Sequence, residues 1–305
     1  MARDILLDTI RRELPDMELR EGEILSAHCS FRIGGPARGM ALPRSEDELV
    51  NLLRLCRSLG EEPLLLGRGT NMLFADSGTR RLVVKPCGDL AQMRLESGTV
   101  ISAGCAVTLA QLACFARDNC LAGLEFAHGI PGTLGGAVVM NAGAYGGEMK
   151  DVLLRVRFFD DGAGEVNTMP AGELELGYRT SRFSTKGGVV ISAELELRSG
   201  VREEIDALMR SLMEKRRASQ PLDKASAGST FKRPREGYAA ALIDGCGLKG
   251  RSVGAAQVSP KHAGFIVNNG GASCGDVLEL MRIVQDTVQR ETGTRLEPEV
   301  KIIES

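Results

Sequence analysis

Apolar side chains recur at helical spacing over residues 3–14, where Ile5, Leu6, Ile10 and Leu14 share one face, and this predicts an opening helix. Ser45-x-x-Glu48 reads as a capping box ahead of Leu49, Leu52, Leu53 and Cys56, with Gly60 as the stop. Thr108-x-x-Gln111 opens a second capped helix through Phe115 that ends near Gly123. Short apolar runs predict strands at 63–66, 81–85 and 100–103, then at Val152–Phe159 and Gly188–Leu197. In the last of these Ile191, Ala193 and Leu195 alternate with polar residues, as in a half-buried strand.

The pattern changes at Gly200. Residues 201–219 read as a charged helix with Ile205, Leu208, Leu212 and Met213 inward, ended by Gln220-Pro221. The small, polar stretch 222–230 is a loop; helices follow at 238–245 and from Ser273 to Thr292, and Val300–Ile303 is a closing strand. The fold class is α+β, with a boundary at 198–202.

Composition narrows the function classes. With 305 residues the chain is long enough for two or three domains. A net charge of −2 gives no electrostatic footprint for nucleic acid, and 4% aromatics without tryptophan argue against base-stacking platforms. The eight cysteines include no C-x-x-C pair and sit mostly in apolar patterns, as reduced core cysteines do. Three histidines, His28, His128 and His262, make a zinc site improbable, so no metal is expected. The first residues lack a signal-peptide core and no apolar run reaches spanning length, so a cytoplasmic protein is expected.

The candidate chemistry lies in glycine. Gly67-Arg-Gly-Thr-Asn71 follows the apolar Pro63–Leu66, and Gly129–Glu148 is saturated with glycine and alanine. Residues without bulky side chains let backbone N–H groups approach a large ligand, so two such loops suggest a dinucleotide held by main chain. Neither loop has the spacing of the common dinucleotide or P-loop fingerprints.

These loops, with Gly177-Tyr-Arg-Thr-Ser-Arg-Phe183, Ala227–Pro234, Gln257–Asn268 and Leu296–Val300, fall in an order that resembles the UDP-N-acetylenolpyruvoylglucosamine reductase family. The resemblance runs from Phe31 to Glu304. It implies an FAD-binding domain of the vanillyl-alcohol-oxidase type in residues 1–199, in two α+β subdomains of about 1–95 and 96–199, and a substrate domain in 200–305, with the last strand a candidate to return to the first subdomain. The short connection from Tyr178 to Gly187 is similar to the family form that lacks an extra tyrosine-bearing insertion. The implied activity is NADPH-dependent reduction, through FAD, of an enolpyruvyl ether on a nucleotide sugar during cell-wall precursor synthesis. The implied partners are these small molecules alone, with no nucleic acid and no membrane, for a monomer.

The resemblance assigns Ser229 as proton donor, Arg179 to the substrate carboxylate and Glu299 to an enol oxygen or to Arg179. Read on residue type alone, Ser229 ends a turn with Gly228, Arg179 is a surface arginine, a place that Arg182 three residues later can equally take, and Glu299 is a solvated carboxylate with Glu297 as its competitor. Tyr178 and Lys232 are implied substrate contacts, against core packing and plain solvation. Arg233 stands where the family usually has asparagine. For FAD the implied contacts are Gly67, Arg68, Gly69, Thr70 and Asn71 in the first loop. In the second they are Gly129, Ile130, Gly132, Gly135, Gly136, Ala137, Asn141, Gly143 and Ala144. His262 reads as a satisfied structural histidine in an apolar strand context. Two other classes stay open: an alcohol oxidase on the same scaffold, and a nucleotide-sugar binding protein without catalysis.

Overall fold

The computed structural model describes residues 4–304. It divides into two compact units. The first comprises the described residues up to Arg20, with Gly39–Gly67 and Leu82–Lys215; the second comprises Glu21–Arg38, Arg68–Arg81 and the residues from Arg216. The second unit is therefore built from three separated stretches of chain.

In the first unit, α1 (Ile5–Glu13) is capped by Asp4 and buries Leu6, Leu7, Thr9 and Ile10. Helix α2 (Glu46–Ser58) starts where the pattern expects, with the Ser45 hydroxyl accepting from Glu48 N. The return half of the box is displaced by one residue, because the Glu48 carboxylate accepts from Arg44 N at 2.8 Å. Helix α3 (Leu109–Asp118) has the complete Thr108–Gln111 box, a mutual cap of two otherwise orphan amides. Its chain reversal comes earlier than Gly123, at Cys120, which holds φ +56°.

A five-stranded antiparallel sheet is the backbone of this unit. Its order is Glu165–Pro170, Leu153–Asp160, Val189–Glu196, Val100–Gly104, Met93–Ser97. Val156, Phe158, Phe159, Ile191, Ala193, Leu195 and Ile101 join one continuous core with the apolar faces of α1, α2 and α3. The short α4 (Leu134–Val139) packs on the central strand Val189–Glu196, and α5 (Arg182–Thr185) packs on α4. Helix α6 (Arg202–Ser219), which belongs to this unit up to Lys215, forms over the expected residues, but its inward face is rotated. Ile205 and Met209 are the buried pair, at i and i+4, while Leu208 is 47% exposed. A charged helix held by one narrow apolar stripe leaves the residue beside that stripe in solvent.

In the second unit, α7 (Ala239–Gly245) and α8 (Cys274–Thr292) accompany a small antiparallel sheet of 252–253, 256–258 and 266–268. Helix α8 forms over the span the sequence predicts; Ser273 and Asp276 cap it reciprocally, and Gly293 at φ +74° closes it. The closing strand Lys301–Ile303 pairs in parallel with Met72–Phe74, just after the first glycine loop. His262 sits in the turn before the strand Ile266–Asn268. Its Nδ1 accepts from Gly264 N at 3.2 Å, its ring meets Phe265 edge-on, and burial pushes its pKa below the usual value.

All eight cysteines are free thiols. Burial pushes Cys105 up to about 12 and Cys274 to about 11, so both are inert protonated packing groups. Among the described residues no helix is long and apolar enough to cross a membrane.

Candidate active site

Residues 68–71 belong to the second unit, where three stretches of chain meet. Gly69 holds φ +58°, and an added Cβ would lie 2.6 Å from His28 O and 2.8 Å from Cys29 Cα. Only glycine allows the loop to lie this close to the segment before it. That segment is itself fixed: Ser30 N donates to Gly69 O, and Ser30 Oγ donates to Ser226 O at 2.6 Å. Asn71 clasps the C-terminal strand from both sides. Its Nδ2 donates to Glu299 O at 3.2 Å, and its carbonyl accepts from Lys301 N at 2.9 Å.

Among the described residues no protein acceptor takes a hydrogen bond from the backbone amides of Arg68, Gly69, Thr70 or Asn71. Four successive amides uncommitted to protein, in a turn with a left-handed residue, suit an anion such as a pyrophosphate. The Arg68 side chain is exposed and Thr70 half-buried at the same turn. Gly67, on the first-unit side of the boundary, lies against Thr133, whose Oγ1 would meet a Cβ there at 2.5 Å.

The second glycine loop lies in the first unit. Thr133 N-caps α4 without using its side chain for the cap, and Gly136 in the helix's first turn is exposed. A Cβ at Gly136 would find no atom nearer than 3.7 Å, so this turn presents bare main chain. Gly129, Ile130, Gly132, Gly143 and Ala144 are partly accessible, Gly135 leans on Cys105, and Ala137 is 2% exposed. Each loop by itself therefore presents main chain rather than side chains, the chemistry that an FAD held by backbone asks for.

Asn141 behaves differently from its neighbours. It is 1% exposed, and its amide donates to Glu148 Oε2 at 2.7 Å and to Gly177 O at 3.0 Å, while Oδ1 accepts from Lys150 N at 2.9 Å. This ties the glycine loop to the turn that carries Tyr178 and Arg179. Arg179 holds φ +54°, a left-handed conformation that costs an L-residue roughly 1–2 kcal/mol. Such strain is retained where surroundings over-determine the backbone, commonly at functional sites. The Arg179 guanidinium lies 5.6 Å from the centroid of the Tyr178 ring, and Tyr178 is 57% exposed. Arg182 is not a surface arginine: its side chain is largely buried, packs over Phe158 at 4.8 Å and lies 3.7 Å from Asp160.

Ser229 and Glu299 are joined through a short backbone ladder in the second unit. Thr230 O accepts from Glu299 N, Lys232 N donates to Glu297 O, each at 2.8 Å, and Phe231 bridges Pro298. Thr230 is 5% exposed; its N donates to Gly264 O and its Oγ1 accepts from Ile266 N at 3.1 Å. Ser229 thus follows Gly228, at φ +77°, on a strand-like segment pinned from two directions, and it is half-buried. Glu299 is half-buried and Glu297 exposed. Lys232 lies 3.5 Å from Glu297 across the same ladder. Sequence reasoning missed Thr230 and Ser181, whose buried hydroxyls fix these segments. Both sit inside the recognised blocks, next to the residues they hold.

The family model for an FAD binding domain matches residues 37–169, which sets the class as a flavoprotein. The family model for the C-terminal domain of UDP-N-acetylenolpyruvoylglucosamine reductase matches residues 220–303. A protein so named from Caldanaerobacter subterraneus subsp. tengcongensis is 44% identical over 302 residues, covering 98% of each chain. One from Clostridioides difficile is 42% identical over 298 residues, covering 98% of this chain and 96% of its own. The crystal structure of the enzyme from Thermus caldophilus superposes with a TM-score of 0.81 at 36% identity, over 94% of this chain and 98% of that one. The chain belongs to the UDP-N-acetylenolpyruvoylglucosamine reductase family. It is accordingly an FAD-containing oxidoreductase of the vanillyl-alcohol-oxidase fold type with a C-terminal α+β domain.

Proposed function

We propose that this protein reduces the enolpyruvyl ether of UDP-N-acetylglucosamine enolpyruvate to the lactyl ether of UDP-N-acetylmuramate, consuming one NADPH and one proton per turnover. The observation that carries the reading is family membership across the whole chain, together with Ser229 and Glu299 on one pinned ladder. In this reading residues 1–199 carry most FAD contacts and 200–305 most substrate contacts, and the protein works as a cytoplasmic monomer.

When bound, FAD supplies the two-electron hydride chemistry between NADPH and the terminal vinyl carbon. The first loop's amides at 68–71 hold its pyrophosphate, and the bare turn at Gly135 and Gly136 admits its planar part. Electron density grows at the carbon beside the substrate carboxylate. Arg179, always charged and forked, meets that carboxylate and stabilises the growing charge. The Ser229 hydroxyl gives its proton to the same carbon; a carbanion is basic enough for so weak an acid to serve. Glu299, beside that segment, holds an enol oxygen or orients Arg179. Tyr178 and Lys232 contact the nucleotide sugar.

The test is product identity. Incubation with NADPH and the enolpyruvyl nucleotide sugar yields a product two hydrogen masses heavier, one per NADPH consumed; NADPH oxidation without that product contradicts the proposal. A second expectation concerns the first loop. Asn71→Ala removes the clasp on Glu299 O, worth about 1 kcal/mol, and lowers FAD affinity roughly fivefold. Unchanged flavin content after gel filtration at limiting FAD contradicts it.

A further inference from the structure

We infer that Ser181 and Asn141 form a clamp on the turn that carries Arg179, and that both are positioning residues rather than ligands of FAD or substrate. The inference rests on the reading of Arg179 given above and deepens it. Gly177 N donates to Thr180 O at 3.1 Å and Thr180 N to Gly177 O at 3.3 Å, so Tyr178 and Arg179 form a two-residue loop closed by its own hydrogen bonds. Within it Arg179 holds φ +54°, a place that glycine or asparagine usually fills in such turns. The turn's own hydrogen bonds and the Tyr178 ring act on the arginine from within, and a second constraint comes from outside the loop.

The constraint comes from both flanks. On the entering side, Asn141 Nδ2 donates to Gly177 O at 3.0 Å. On the leaving side, Ser181 Oγ donates to Val139 O at 2.8 Å. The two anchors fall within one three-residue stretch, 139–141, at the end of α4, and Ser181 and Asn141 are each 1% exposed. Asn141 cannot turn away, because its other amide proton goes to Glu148 Oε2 and its Oδ1 accepts from Lys150 N. Both amide protons are thus spent inside the protein, which leaves no side-chain donor for a cofactor. Ser181 is held in turn by α5, where its N donates to Ser184 Oγ at 2.9 Å. A loop fixed at both ends to one short segment has one register, and the direction of the arginine follows from it.

The experiment is a double-mutant cycle of Ser181→Ala and Arg179→Ala, read by anaerobic stopped-flow in both half-reactions, with FAD content measured for each variant. Ser181→Ala is expected to slow reoxidation by the enolpyruvyl substrate about tenfold while FAD content and reduction by NADPH hold. In the Arg179→Ala background it is expected to add less than about twofold, since its effect passes through the arginine. A loss that persists in that background, an equal fall of both half-reactions, or no slowing at all overturns the clamp. If Arg179→Ala alone leaves reoxidation unchanged, the reading of Arg179 fails first, and the cycle reports this separately. Should Ser181→Ala not accumulate as folded protein, Ser181→Cys, whose thiol is a much weaker donor to Val139 O, carries the same cycle with the same outcomes.

Discussion

Ser229→Ala leaves reduction of bound FAD by NADPH at its wild-type rate and slows reoxidation by the enolpyruvyl nucleotide sugar by about 10³-fold, within the range of a positioned proton donor. The asymmetry follows from what a hydroxyl can do. No proton needs to reach a substrate carbon while NADPH gives up hydride, so the first half-reaction does not use Ser229. In the second, hydride addition at the vinyl terminus leaves charge on the neighbouring carbon, and without a nearby proton that charge collapses backwards. The backbone around Ser229 does not depend on its side chain. Thr230 makes the contacts to Gly264, Ile266 and Glu299 that fix the segment. Alanine at 229 therefore keeps the fold and the flavin, and a melting temperature within a degree or so of wild type checks this. Equal loss in the two half-reactions would contradict the assigned role.

Arg179→Ala is expected to slow reoxidation by roughly 10²–10³-fold, the usual loss when a preorganised charge-stabilising donor is removed. Lysine recovers little of this, since it keeps a positive charge but lacks the planar fork. Glycine separates strain from chemistry. Arg179→Gly removes the same guanidinium but fits φ +54° without penalty, so it is expected to be more stable than Arg179→Ala by about 1 kcal/mol at similar inactivity. Chemical denaturation of the pair measures this directly. If glycine is no more stable than alanine, the left-handed turn carries no such strain.

The parts of this molecule that could be read from the chain are those whose signals are local. Ser45, Thr108 and Ser273 each announce a helix within four residues, and all three sit at N-caps. The strand Val189–Glu196 shows itself because one face is buried and the other is less so. The strand Met93–Ser97 does not, because it lies at the sheet's edge with four of five residues exposed and no alternation to detect. Pairing at long range leaves no local trace either. The parallel register of Lys301–Ile303 on Met72–Phe74 joins residues more than two hundred positions apart, and two three-residue strands look alike in any sequence. The same holds for the second unit, whose pieces 21–38 and 68–81 give no compositional sign of belonging with the C-terminal third.

Within the site, the glycine loops could be seen because glycine is diagnostic of bare backbone. The use of Asn141 could not. An asparagine in a glycine loop reads as a ligand donor, and only the placement of Gly177 O and Glu148 beside it turns it into an internal brace. The expected inward position of Leu208 failed for a related reason. A charged helix offers several apolar stripes of similar width, and tertiary packing chose the one through Ile205 and Met209.

Passage of two electrons from NADPH to an enolpyruvyl carbon by way of FAD is checked by anaerobic mixing of the NADPH-reduced protein with the enolpyruvyl nucleotide sugar. Full return of the oxidised flavin spectrum is expected in a single turnover, with one UDP-N-acetylmuramate formed per flavin. A flavin that stays reduced until oxygen is admitted, whatever the nucleotide sugar concentration, would contradict it.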